Sequence, residues 1–176
     1  MSIWRDMPAG RVSQDSFVAV IEIPKGCKVK YELDKETGML RMDRILHTST
    51  HYPANYGFIP LTYASDDDPL DVLVFCPEAI IPMTLVSCYP IGVIIMEDSG
   101  YSDKKIIAIP HGDPTYNNYK DIEELPSHIF SEMTHFFSVY KSLEGKETAL
   151  ESVKGAVEAR KTIQRGIDRY REKFTD

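Results

Sequence analysis

At 176 residues the chain has the length of one compact domain with its own core, and a single domain over 1–176 is expected. Its 27 acidic side chains outnumber 20 basic ones, a net charge of −7, which argues against nucleic-acid partners because a phosphate backbone requires clustered cations. Cys27, Cys76 and Cys88 lack the short paired spacing of a zinc site or disulfide framework and read as reduced thiols. The opening MSIWRDMPAG has no signal-like apolar stretch, and the most apolar run, IGVIIM at 91–96, is too short to span a bilayer. A cytoplasmic protein without membrane partners is expected.

From 16 to 110, β-branched and aromatic residues come in short runs punctuated by Pro and Gly: SFVAVIEIP, KVKYEL, MLRMDRIL, DVLVFCP, TLVSCYPIGVIIM and KIIAIP. Each reads as a strand. DKETG between the second and third reads as a hairpin loop, with Gly38 free to take a positive φ. Beyond Pro110 the period changes. Ile129, Met133, Phe136, Phe137, Tyr140 and Leu143 recur at helical spacing after Pro126. A second helix is expected from a capping box at Thr148 to Glu151, with Leu150, Val153, Val157, Ile163, Ile167, Tyr170 and Phe174 as its packing stripe. The pattern is α+β and mainly β, a strand-rich body with helices at its C-terminal end, and several closely spaced strands favour a barrel that leaves no exposed edge.

The segment DDDPLDVLVF at 66–75 crowds four carboxylates against an apolar strand. Acidic residues gather in turns simply because turns are solvated, and Ser-Asp-Asp-Asp-Pro is ordinary turn chemistry. Two features point further: Pro69 keeps Asp68 extended, and Asp71 opens a strand that looks buried, so the carboxylates are held together. Like charges fixed a few ångströms apart raise each other's pKa unless a cation neutralises them, and an all-oxygen donor set suits a hard divalent ion. An EF-hand opening at Asp66 is excluded, because Asp71 and Pro77 stand where it needs Gly and Glu. MEDSGYSD adds Asp98 and Asp103 around Gly100, a pattern equally suited to a solvated hairpin tip. Lys30 and Glu32 share one strand face, which Glu22 can approach from the preceding strand; on its own this is an ordinary surface ion pair. Arg44 ends one strand, Lys105 begins another, and Tyr140, Lys141 and Lys146 follow the first helix. Aspartates that hold Mg²⁺, faced by Lys, Arg and Tyr, make a site for a small polyphosphate.

In that order the chain resembles the soluble inorganic pyrophosphatases of family I. The likeness rests on IEIPKGCKVKYELDKETG at 21–38, DRIL at 43–46, YPANYGFIP at 52–60, DDDPLDVLV at 66–74, GVIIMEDSGYSDKKIIAIPH at 92–111 and HFFSVYKSLEGK at 135–146. It implies a closed, five-stranded OB-like β-barrel flanked by C-terminal helices, and hydrolysis of inorganic pyrophosphate to two orthophosphates with several Mg²⁺ ions per active site. By position, Asp66, Asp71 and Asp103 match ligands of the tighter metal, Asp98 and Asp103 ligands of metal arriving with substrate, and Glu32 an outer site. Asp68 matches the general base. Lys30, Arg44, Lys105, Tyr140 and Lys141 match the phosphate grip, Tyr52 and Tyr56 line the site, and Glu22 belongs to its inner shell, with Lys146 a looser match. Three positions depart from the pattern: Asp67 stands where a small residue such as Gly is usual, Ser99 where an acid commonly follows Asp98, and Val139 at one position where hexamers of the family place a contact histidine, although His135 matches another. A homohexamer is expected. The rival classes are an OB-type nucleic-acid module, which would need a basic groove with aromatic platforms, and a calcium-binding structural protein without turnover.

Overall fold

The apolar runs expected as strands do pair into a ring. The computed structural model describes residues 2–175. β1 (Phe17–Ile23), β4 (Asn55–Ile59), β5 (Leu70–Val74), β7 (Tyr101–Pro110) and β6 (Leu85–Asp98) are hydrogen-bonded in that order, and β6 returns to β1, closing five strands into a barrel. Only β5 and β7 run parallel among the ring pairs. Both faces of these two strands are covered: Val72, Val74, Ile106 and Ala108 join one apolar cluster while Leu73, Ile107 and Ile109 join another, which is why they read as continuous apolar runs. The fifteen buried residues of the first cluster come from all five ring strands, from Val12 ahead of β1 and from α2 (Ala156–Phe174), through Ala159, Ile163 and Ile167. The second is filled by Phe136, Phe137 and Tyr140 at the end of α1 (Ser127–Val139). A separate two-stranded hairpin, β2 (Val29–Leu33) with β3 (Leu40–Ile45), stands outside the ring.

Three expectations are corrected. No strand was expected at 55–59, where Pro53, Gly57 and Pro60 suggest a loop; β4 is nonetheless a central barrel strand. Its glycine is required there, since a Cβ at Gly57 would lie 1.8 Å from the Val20 carbonyl oxygen of β1. The capping box at 148–151 is instead strand β8 (Thr148–Gly155). β6 is long enough that its stretch Gly92–Asp98 presents a free edge once β7 is paired, and β8 satisfies those backbone groups. Thr148 accordingly donates its hydroxyl to the Phe137 carbonyl (2.6 Å), and α2 begins only at Ala156, whose N–H is accepted by Asp121 (3.0 Å). The stripes shrink to match: Leu143, Leu150 and Val157 are exposed. Lys105 lies in the middle of β7 rather than at its start, because pairing with β6 extends back to Tyr101. The three cysteines are free, with Cys76 and Cys88 buried. Among the described residues no helix is long and apolar enough to cross a membrane.

Candidate active site

One cavity of about 550 Å³ opens between the barrel and the β2–β3 hairpin. Glu22, Lys30, Glu32, Tyr52, Tyr56 and Asp66 line it, together with Asp68, Asp71, Asp98, Asp103, Lys105, Tyr140 and Lys141. Of the residues singled out in the sequence, it thus gathers all but Arg44 and Lys146.

Register explains the centre. Asp71 on β5 is the direct partner of Lys105 on β7, and Asp103, two residues before Lys105, shares its face. The Lys105 ammonium is 2% exposed and lies 3.0 Å from Asp71 and 3.1 Å from Asp103, while donating to the Tyr56 hydroxyl at 2.9 Å. Burial favours its neutral form, but Asp71, Tyr56 and Asp103 outweigh burial and keep it protonated. Burial also raises the Asp103 carboxyl, against the pull of Lys105.

The acidic loop is held open by its own hydrogen bonds. The buried Thr62 hydroxyl donates to the Ile59 carbonyl (2.6 Å) and accepts from Leu70 N–H (2.9 Å), and Ala64 N–H reaches the Asp68 carbonyl (2.8 Å). Asp67 takes φ +67, the left-handed region where glycine is easiest and Asp among the better-tolerated alternatives; this accounts for the usual small residue there. Its carboxylate accepts from Tyr63 (2.5 Å). Ser99, also at positive φ, donates to Asp98 at 3.2 Å.

Cations stand on most of the remaining carboxylates. Lys35 pairs with Asp68, Lys141 with Asp98, Lys30 with Glu32 (3.1 Å), and Arg41 with Glu32 (3.0 Å). Burial raises Asp98 and Glu32, yet Lys141 holds the first, and Lys30 with Arg41 the second, below the ordinary carboxylate range. Asp66 has no such partner among the described residues. Burial and then Asp71 push it up to about 6. Glu22, at the seam between barrel and hairpin, accepts Leu33 N–H at 2.6 Å, and burial pushes its carboxyl up to about 8. Burial likewise raises the phenols of Tyr52, Tyr56 and Tyr140, so all three remain protonated donors at neutral pH.

Arg44 lies outside this lining. Its guanidinium is tied to Glu144 (2.7 Å) and Asp43 (2.5 Å), and its Nη2 is buried without a hydrogen-bond partner among the described residues. Lys35 and Arg41, by contrast, line the cavity without standing out in the sequence. A two-strand register drawn back from the DKETG turn sets Glu32 opposite Arg41 and was the available signal. Among the described residues, no three His, Cys, Asp or Glu side chains are drawn together at ligating spacing. The carboxylate and hydroxyl donors around the cavity are nevertheless all oxygen, with Asp66 in no ion pair among the described residues, and their chemistry fits hard divalent cations rather than zinc or copper.

Comparison with known proteins identifies the family. The family described as inorganic pyrophosphatase matches residues 19–171. Soluble inorganic pyrophosphatase 2 of Chlamydomonas reinhardtii is 45% identical over 97% of this chain and 89% of its own length. The inorganic pyrophosphatase of Aquifex pyrophilus is 44% identical over 96% of this chain and 97% of its own. Among solved structures, the Helicobacter pylori inorganic pyrophosphatase superposes with a TM-score of 0.88 at 41% identity, covering 90% of this chain and 95% of that one. The Thermus thermophilus enzyme reaches a TM-score of 0.91 at 33% identity, covering 96% and 98%. With a closed barrel, one polar cavity at its rim and likeness along nearly the whole chain, this protein belongs to the inorganic pyrophosphatase family.

Proposed function

We propose that the chain hydrolyses inorganic pyrophosphate to two orthophosphates, with Mg²⁺ held by the cavity carboxylates and Asp68 as general base. One observation carries this reading: Asp66, Asp68, Asp71, Asp98 and Asp103 share a single cavity with Lys30, Lys105, Lys141 and three protonated tyrosines. Asp66, Asp71 and Asp103 would hold the tighter ion, Asp98 and Asp103 would meet metal that arrives with substrate, and Glu32 would serve an outer site. When bound, such ions lower the pKa of water toward roughly 7 and neutralise phosphate charge.

The chain's own groups do the rest. Asp68 accepts the proton of the attacking water. The new P–O bond forms on one phosphorus while the bond from that phosphorus to the bridging oxygen breaks, and the bridging oxygen leaves with the second phosphate. Lys30, Lys105 and Lys141 hold phosphate oxygens as point charges, and Tyr52, Tyr56 and Tyr140 donate single hydrogen bonds. Arg44, held by Asp43 and Glu144, would join the phosphate grip through its guanidinium. Burial raises the Glu22 carboxyl and so disfavours one further negative charge at the cavity. Catalysis is positioning and electrostatics, as expected for phosphoryl transfer. Assembly as a homohexamer and a cytoplasmic location belong to the same proposal.

Phosphate release from pyrophosphate with Mg²⁺, with chelator and with Ca²⁺ tests the class; release should require Mg²⁺ and be suppressed by Ca²⁺. Asp68→Asn should keep the fold and Mg²⁺ binding while lowering kcat by about 10²–10⁴. Near-normal turnover of that variant at saturating Mg²⁺ removes Asp68 as the base.

A further inference from the structure

Lys35 sits at the tip of the β2–β3 hairpin and reaches across the cavity mouth to Asp68. Its ammonium also lies 4.7 Å from the ring of Trp4, the single tryptophan of the chain. Trp4 is fixed. It is 7% exposed, its indole N–H donates to the Thr62 carbonyl (2.9 Å), and its ring stacks on Tyr63 and meets Phe174 edge-on. Leu61 N–H in turn reaches the Trp4 carbonyl (3.0 Å). One ammonium therefore joins three parts of the molecule: the hairpin, the acidic loop of the barrel and the N-terminal segment. An aromatic face attracts a cation electrostatically, so the ring gives Lys35 a resting place whether or not its carboxylate is available.

From this geometry we infer that Lys35 is a positioning residue, a latch that holds the hairpin tip against Asp68 and yields to divalent cations, with Trp4 registering the exchange. The inference rests on the reading that such cations enter this cavity. A cation approaching Asp68 competes with the Lys35 ammonium for the same carboxylate charge. The pair is open to water, with side chains 43% and 57% exposed, so the competition is mild. Lys35 is held by one exposed ion pair and one aromatic face, contacts weak enough for a latch that opens in each cycle. Once displaced, its ammonium remains on the cavity wall, facing incoming phosphate.

The test uses the full chain stripped with chelator and then titrated with Mg²⁺ alone, following Trp4 emission and, in parallel, calorimetric binding. Wild type should give a saturable emission change that tracks the calorimetric isotherm, and an equal ionic strength of NaCl should not reproduce it. Lys35→Met should lose at least half of that change and bind Mg²⁺ about two- to fivefold more tightly, the range for an exposed ion pair. It should also raise KM for pyrophosphate with a smaller effect on kcat, and Lys35→Arg should restore wild-type behaviour. Trp4→Phe should abolish the signal. Tyr63 offers a second path from Asp67 to Trp4, so the Lys35 variants decide. An undiminished emission change in Lys35→Met, or Mg²⁺ binding in wild type without any change, overturns the latch while leaving pyrophosphate hydrolysis intact. Absence of Mg²⁺ binding overturns the cation reading and the latch with it.

Discussion

The barrel and the β2–β3 hairpin face each other across one cavity and are built on opposite principles. The five ring strands are locked by neighbours on both edges, and β5 and β7 are buried on both faces. The hairpin is a lone pair of strands with no fully buried residue, held to the rest by the Glu22 carboxylate, the Lys35 ammonium and the Arg44–Glu144 pair, with Tyr31 and Leu33 packed against the apolar clusters. An isolated two-stranded sheet is marginal in water by itself. The division suits the chemistry. Under the proposed reaction, Asp71 and Asp103, which would hold cations, come from a scaffold that cannot spread, while Lys30 and Lys35, which would meet phosphate, come from one that can.

The two regions respond differently to one added methyl group. In the barrel, Gly57→Ala would put a Cβ against backbone atoms of Val20 and Ile21, at 1.8 Å from the nearest, and backbone in a paired strand cannot step aside. The cost should exceed the roughly 3 kcal/mol typical of overpacking and open the β1–β4 pairing. The variant should be insoluble or lack a cooperative unfolding transition. A folded, active Gly57→Ala protein would mean that the ring is far softer than its packing implies.

The seam between the regions gives the next largest effect, and it depends on pH. The Glu22 carboxyl has its folded pKa raised to about 8 from an ordinary 4.5. Between those values the unfolded chain has released a proton that the folded chain still holds, so stability falls as pH rises through this window and levels off above it. Glu22→Gln removes that slope while keeping an acceptor for Leu33 N–H. In chelator, the difference in stability between the variant and wild type should grow in the variant's favour from pH 5 to pH 8, by on the order of 2–4 kcal/mol. Asp66 shifts in the same direction, so the subtraction between the two proteins, rather than the raw profile, isolates Glu22. A difference that stays flat with pH would show that the hairpin docks on an ionised carboxylate.

Much of this site was legible before the fold was known, for a physical reason. Asp66, Asp68 and Asp71 lie within six residues, and Asp103 and Lys105 within three, so their chemistry is written in local spacing that a loop or strand face must respect. What escaped was long-range. β4 was hidden because Gly57 reads as a breaker until β1 is known to press against it. β8 was hidden because Thr148 to Glu151 satisfies the local rules of a helix start, and only the free edge of β6 decides for a strand. The Arg44–Glu144 pair joins residues a hundred positions apart, and no spacing rule points from one to the other. Lys35 belongs with these: as a turn residue it looks solvated, and its meaning comes from Asp68 and Trp4, which the fold brings to it.

The hairpin counterpart of Gly57→Ala is Gly38→Ala, and here the effect should be small and local. Gly38 turns the DKETG loop at φ +75, with its N–H on the Asp34 carbonyl (2.8 Å), and a Cβ built there meets nothing within 4 Å. The cost is therefore conformational alone, about 1–2 kcal/mol for an L residue in the left-handed region. Asn, which tolerates that region better, should cost less. Because the hairpin carries none of the barrel's ladders, this free energy should appear as faster hydrogen exchange of the β2 and β3 amides, with barrel protection and the global unfolding midpoint nearly unchanged. If Gly38→Ala instead lowered protection throughout β1, β4 and β5, the hairpin and barrel would unfold as one unit. The hairpin could not then move over the cavity without loosening the carboxylates beneath it, and the division of labour between a fixed and a yielding wall would be wrong.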